Sequence, residues 1–382
     1  MNETWWVQPD QLDEDQKAIV TLPIERSCLV MGPPGSGKTN LLLLRANYLV
    51  KAGHPNVRVL VFNRNLREFI ASGAAQYAFS EEKISTMRQW QTQILNEHGK
   101  SVELPSDFTE ARQVLLEATK AVVDSAGVGK LCDVLLLDES QDYWPEEIEL
   151  VARLTNRIFA VGDLRQKIYG GESPIDILED RTDETIILQF HYRNGLQICK
   201  LADKLSTAWV GYTPLADRAN YDETATPSSV VSYELDDLEA QAAKIIESLD
   251  TQRKAYPDEL LGVLVPRHKD LQQIWPLIEA SHHGEVAFRQ TATEGYGPFA
   301  ADKRICVCTV HAAKGVEFRT VHLAACDALK KFPTQRRLAY TGITRTKTAL
   351  SIYHSSALPG YLEDALASLR PLPNLPNIDE VF

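Results

Sequence analysis

The sequence predicts an α/β fold of parallel sheets flanked by crossover helices, and three features carry that expectation. Short, mainly apolar runs, among them residues 134–137, 261–265 and 305–310, alternate along the chain with longer stretches of helical period. Between one such run and a leucine-rich helical stretch lies Gly32-Pro33-Pro34-Gly35-Ser36-Gly37-Lys38-Thr39, a glycine-rich turn of the kind that joins strand to helix. At 382 residues the chain exceeds one typical domain and can bury two cores.

The glycine-rich turn spells G-x-x-x-x-G-K-[ST], with residues 27–31 as the strand before it and 40–50 as the helix after it. Gly32, Gly35 and Gly37, with Ser36, let successive backbone N–H groups converge on phosphate oxygens at a helix N-terminus. Lys38 would reach the β- and γ-phosphates of ATP, and the Thr39 hydroxyl would sit on Mg²⁺. A plain Gly/Pro connection would have no use for the Lys-Thr pair.

Composition limits the alternatives. The formal charge of −12, from 52 acidic and 40 basic residues, favours solubility and argues against a uniformly basic coat, while leaving local basic patches open. The six cysteines lie mostly in apolar runs without a C-x-x-C pair, and Cys306 and Cys308 fall on one face of a predicted strand, so packing is expected rather than zinc. No apolar stretch spans a bilayer and residues 1–10 lack the pattern of a signal peptide, so a cytoplasmic protein with no membrane partner is expected.

In chain order, residues 8–20 read as a loop and a helix opened by Asp13, Glu14 and Asp15; within it the Gln16 amide either reads an adenine edge or is a solvated helix residue. Residues 57–62 form a strand ending at Phe62, followed by Asn63-Arg64-Asn65-Leu66-Arg67, either a polyanion contact at the carboxyl end of the sheet or an ordinary polar loop. Residues 84–95 pass from strand into helix, where Trp90 either stacks on a base or anchors the core. Residues 97–130, with a helix over 109–124, are expected to be a small inserted subdomain. The strand 134–137 closes on Asp138-Glu139-Ser140-Gln141-Asp142, placing Asp138 to hold Mg²⁺ through water and Glu139 to deprotonate the water that attacks the γ-phosphate. A glycosidase pair is a poor fit, because adjacent strand residues point to opposite faces.

The next strand, 157–161, runs into Gly162-Asp163-Leu164-Arg165-Gln166-Lys167-Ile168-Tyr169. Together with Asp-Glu-x-Gln-Asp this resembles the ATPase core of superfamily 1 helicases of the UvrD/PcrA/Rep type. The resemblance implies that Gln166 senses the γ-phosphate and that Tyr169 lies near the bases of a bound single strand. Further motifs follow in family order. Gln189-Phe190-His191-Tyr192-Arg193-Asn194 implies Tyr192 on adenine and Arg193 at the γ-phosphate; Thr309-Val310-His311-Ala312-Ala313-Lys314-Gly315-Val316-Glu317-Phe318 implies Thr309 and His311 on the nucleic-acid backbone and Glu317 at the ribose. The stretch 336–345 implies Arg345 as a second arginine finger, while the surface-lysine reading of Lys314 and Lys347 and the turn-histidine reading of His311 stay open. The strand contacts expected on this basis are Phe62, Asn63, Arg64, Trp90, Tyr169, Thr309 and His311.

The later elements read as strands at 230–233, 261–265, 305–310, 321–325 and 349–353 and helices at 196–209, 238–249 and 269–280, a second RecA-like domain. The expected division is 1–180 with the phosphate loop, 181–356 with the arginine fingers, and a tail at 357–382, loose from Pro371 to Glu380. Two departures stand out. Gly170-Gly171-Glu172 replaces the Arg and stacking aromatic usual in UvrD-like enzymes, and only a short polar loop around 282–302 stands where the family carries a large insertion. The expectation is a nearly bare ATP- and Mg²⁺-dependent motor on single-stranded DNA, 3′ to 5′ by resemblance, with RNA left open. The alternative is a nucleic-acid-gated ATPase switch, or the motor subunit of a repair or antiviral-defence complex whose partner supplies duplex contact or nuclease activity. A small-molecule kinase would leave the second arginine-bearing domain unexplained.

Overall fold

A computed structural model describes residues 9–370 except 73–76, 170, 208, 210–211, 292–298 and 301. The tail from Pro371 to Glu380 and Gly170 therefore lie outside the described residues, as does part of the loop 282–302.

The first half opens with α1 (Glu14–Val20), whose capping box joins Asp13 and Gln16, and β1 (Cys28–Met31), which feeds through the glycine turn into α2 (Lys38–Lys51). Then come β2 (Val57–Val61), α3 (Arg64–Ser72), β3 (Ile84–Thr86), α4 (Met87–Glu97) and α5 (Phe108–Ser125). After them follow β4 (Cys132–Leu137), α6 (Pro145–Leu154), β5 (Thr155–Gly162), α7 (Ile175–Arg181) and β6 (Glu184–Ile187). The six strands form one parallel sheet in the order β3-β2-β4-β5-β1-β6. Its central strands are apolar on both faces, as a sheet covered by helices on both sides requires. The carboxyl ends of β4, β5 and β1 are adjacent, which sets the acidic pair, Asp163 and the glycine turn side by side.

The second half contains α8 (Leu196–Ser206), β7 (Ser229–Glu234), α9 (Leu238–Ala255), β8 (Leu261–Val265), α10 (His268–Glu279) and β9 (Ala287–Gln290). It continues with β10 (Ile305–Thr309), α11 (Val310–Ala313), β11 (Phe318–Leu323), α12 (Pro333–Thr344), β12 (Thr346–His354) and α13 (Gly360–Ala367). A second six-stranded parallel sheet has the order β7-β12-β11-β8-β10-β9. The molecule is thus a pair of RecA-like α/β domains, as the strand and helix alternation implies.

Four expectations change. The edge strand β6 extends the first sheet past residue 180, where the sequence reading begins the second domain. Residues 97–130 do not build a subdomain: the single long helix α5 buries Leu115 and Val122 against Leu95, and Leu116 and Val123 join the cluster around Trp90. One helix has no partner with which to enclose a core of its own, so it becomes a layer of the first domain. The segment after Asn63 is the helix α3, with the Asn63 carboxamide oxygen accepting from the Leu66 N–H at 2.7 Å. Within the polar loop, Ala287–Gln290 is the edge strand β9.

The halves meet through side chains. Asn63 donates to the Lys314 carbonyl and Asn65 to the Ala312 carbonyl, each at 2.8 Å. Gly315, at φ +84°, lies so close that an added Cβ would fall 2.5 Å from Leu66, so only glycine fits.

Candidate nucleotide site and nucleic-acid interface

The glycine turn is a cradle that larger residues would fill. Gly35 has φ +77° and a Cβ there would meet Arg193 at 2.6 Å; Gly37, at φ +80°, starts α2. The Ser36 hydroxyl donates to the Pro33 carbonyl at 2.9 Å, which tightens the turn. Lys38 Nζ folds onto the Gly32 and Pro33 carbonyls at 2.9 and 2.8 Å, and burial pushes its pKa down to about 8 against the pull of Asp163 and Glu139. Buried Gln16 spans its capping box and the Ser36 carbonyl, to which it donates at 3.5 Å.

Across the cleft floor, Thr39 Oγ1 donates to Asp138 Oδ2 at 2.9 Å, so a hydroxyl and a carboxylate converge as hard oxygen ligands for Mg²⁺ must. Burial and the neighbouring Glu139 push Asp138 up to about 7. Glu139 has φ +50°, a strained left-handed turn for a non-glycine residue that takes the chain off the strand and lets both carboxylates face one cleft. Burial alone would raise the Glu139 pKa, but Lys314 and Arg345 beside it hold it low, and Gln141 donates to its Oε2 at 2.7 Å.

The opposite wall comes from the second half. Arg345 Nη2 donates to Gln166 Oε1, while Gln166 Nε2 donates to Asp163 Oδ2 at 3.1 Å. Burial and the adjacent Arg193 push the Arg345 guanidinium down to about 10, leaving it charged at neutral pH. Arg193 pairs with Glu317 and donates to the Thr344 carbonyl at 3.2 Å, and Lys347 stands 3.9 Å from Glu317. Glu317 thus faces the cleft already engaged by two cations, so a contact to ribose would have to share that carboxylate. Gly35, Lys38, Thr39, Asp138, Glu139, Gln166, Arg193, Glu317 and Arg345 all line this cleft. A second cavity beside it, of about 270 Å³, is lined by Gln16, Ile19, Leu22, Phe190 and Tyr192, and the Tyr192 hydroxyl donates to Asp13 at 2.6 Å.

The expected strand contacts divide. Phe62 and Tyr169 are half-buried with ring centroids 4.7 Å apart, and His311 lies 5.7 Å from Tyr169, forming one aromatic group between the two halves. Trp90 does not belong to it. It is 2% exposed and packs among Met87, Ile94 and Leu116, because α4 turns its apolar face to the sheet, so no base can reach the ring. The Asn63 amide is also unavailable, being committed at both ends to α3 and to Lys314. Arg64 is exposed with Glu68 at 3.6 Å, and the Thr309 hydroxyl accepts from the Ala312 N–H at 3.2 Å as the cap of α11.

Lys314 and Lys347 are not surface lysines. Lys314 is fully buried, with Nζ on Asp142, on the Gln166 carbonyl at 2.7 Å and 3.5 Å from Glu139. It ties the second half to the acidic loop of the first. Sequence reasoning left Asp142, Asp163 and Asn65 without roles, and the only available signal was their place inside quoted motifs.

Residues 15–172 match an AAA domain, and residues 304–353 match the UvrD-like helicase C-terminal domain. No curated protein matches the sequence. Among solved structures, the PRRSV helicase is 15% identical over 88% of this chain and 54% of its own, with a TM-score of 0.40, so the chain spans about half the length of that protein. The C-terminal domain of a possible DNA helicase from Lactobacillus plantarum WCFS1 is 19% identical over 47% of this chain and 96% of its own, with a TM-score of 0.34. No helix among the described residues is long and apolar enough to cross a membrane.

Proposed function

We propose that this chain, a UvrD-like superfamily 1 helicase by its two matched domains, is an ATP- and Mg²⁺-dependent motor that moves along single-stranded DNA, 3′ to 5′, in the cytoplasm. The observation that carries the reading is the shared cleft: Lys38, Thr39, Asp138 and Glu139 from one half face Arg193 and Arg345 from the other.

In this reading the glycine cradle and Lys38 hold the β- and γ-phosphates, and Tyr192 with Gln16 bounds the adenine cavity. Mg²⁺, held by Thr39 and Asp138, would neutralise phosphate charge when bound. Glu139, kept ionised by its cationic neighbours, takes the proton of the attacking water. Gln166 couples Arg345 to Asp163, and the two arginines neutralise transition-state charge, an effect worth about 10³–10⁵ in rate. Closure of the cleft therefore depends on the phosphate state, and Lys314 links that closure to the aromatic group at Tyr169, whose ring centroid lies 5.9 Å from its Nζ.

One observation favours the switch as a second reading. The segment between β8 and β10 holds only α10, a 3-10 turn at Gly284–Val286 and β9 among its described residues, which would leave duplex contact or nuclease action to a protein partner. A strand-displacement assay on a tailed oligonucleotide tests this. A motor displaces the strand alone with ATP, and hydrolysis without displacement, even on a short duplex, would favour the switch.

A further inference from the structure

Resting on the single-strand reading above, we infer that Phe108, from the helix α5, forms a base-stacking site with Tyr169 and supplies the platform that Gly170-Gly171-Glu172 lacks. Phe108 is the first residue of α5 and is 53% exposed, an unusual state for a large aromatic residue. Its centroid stands 6.1 Å from that of Tyr169 at a tilt of 37°, near the outer limit of aromatic contact, so the ring gains little packing from its neighbour. Tyr169 is itself held, by Phe62 at 4.7 Å and His311 at 5.7 Å.

The start of α5 is fixed relative to Tyr169. Arg112, one turn after Phe108, donates to Glu147 at 2.7 Å and to the Asp142 carbonyl at 2.9 Å, and its guanidinium lies 4.2 Å over the Trp144 ring. Gly171 has φ +102°, which strains any other residue, and an added Cβ would crowd Trp144 at 3.2 Å, so the backbone here disfavours a stacking side chain. Lys167, half-buried two residues before Tyr169, is one cation beside the rings, in a field of mixed sign from Asp142, Arg337, Glu172 and Arg112. A rigid exposed ring and a second held ring fit a nucleobase of a single strand, taken by its π-face without regard to sequence.

The test is fluorescence anisotropy of the full chain with labelled oligothymidylate at fixed low salt, comparing wild type, F108A, F108W and Y169A. The expected result is an affinity loss of about 5-fold or more for F108A, recovery with F108W, and an F108A thermal midpoint like that of wild type. On an oligomer of abasic residues the wild type and F108A should bind alike. Wild-type affinity in F108A with a loss in Y169A would put Phe108 off the strand path. An equal loss on the abasic oligomer would make its role structural. A wild type that binds no strand at all would refute the single-strand reading itself, and this inference with it.

Discussion

Replacing Lys314 with methionine removes one buried charge while keeping most of the side chain's length. Asp142 and the Gln166 carbonyl, at 2.7 Å, lose their donor, and Glu139 loses a cation 3.5 Å away while keeping its hydrogen bond from Gln141. Asp142 is 2% exposed and its Oδ1 has no hydrogen-bond partner, so the variant would strand a carboxylate in the interior. Breaking a buried pair in this way costs about 3–5 kcal/mol. Even beside the lysine, burial raises Asp142 to about 6, and without it the pKa must rise further. A group raised in the folded state stabilises the fold below its unfolded pKa and loses that contribution as pH climbs through the folded value. K314M should therefore regain stability between pH 7 and pH 5 relative to wild type. K314M/D142L, which replaces the pair by apolar groups, should recover most of the loss. Urea unfolding followed by tryptophan fluorescence at both pH values measures all three. A K314M cost under about 1 kcal/mol with no gain on acidification would mean that the halves do not meet at this bridge in solution.

Other outcomes follow from the same geometry. K38A and E139Q should both abolish ATP hydrolysis, and E139Q should still bind ATP by calorimetry because the cradle is untouched; normal turnover by either would break the assignment of the cleft. R345A should lower kcat far more than ATP affinity, since its guanidinium acts through Gln166 on the far wall, and a loss confined to affinity would contradict the finger role. His322 is buried between the Tyr353 hydroxyl at 2.8 Å and Gln252 at 2.9 Å, and burial holds its pKa at about 3. Being depressed on folding, it withholds stability as pH falls below its unfolded value, about 2 kcal/mol between pH 7 and 5, and H322N should flatten that slope in denaturation measured across the range.

The two sheets were legible because buried parallel strands are short apolar runs, and 134–137, 261–265 and 305–310 could hardly be anything else. The edge strands β6 and β9 were not, since β6 has no buried residue, β9 has only its two end residues buried, and Glu-Thr-Ile-Ile or Ala-Phe-Arg-Gln carries no continuous apolar signal. The phosphate cradle could be located from spacing alone, because a conformational need for glycine and a chemical need for Lys-Thr coincide in eight residues. The role of Lys314 was left open for the opposite reason. A lysine signals solvent unless its partners are known, and Asp142 lies 172 positions away. Trp90 reads the same in sequence on either face of α4, and only its packing against the sheet removes it from the strand contacts.

Steady-state ATP hydrolysis by the full chain, with and without single-stranded DNA at low and moderate salt, tests the central claim most directly. A nucleic-acid-coupled motor predicts strong stimulation by the strand that fades as salt rises, because phosphate contacts release counterions. Hydrolysis indifferent to DNA at every salt concentration would contradict it.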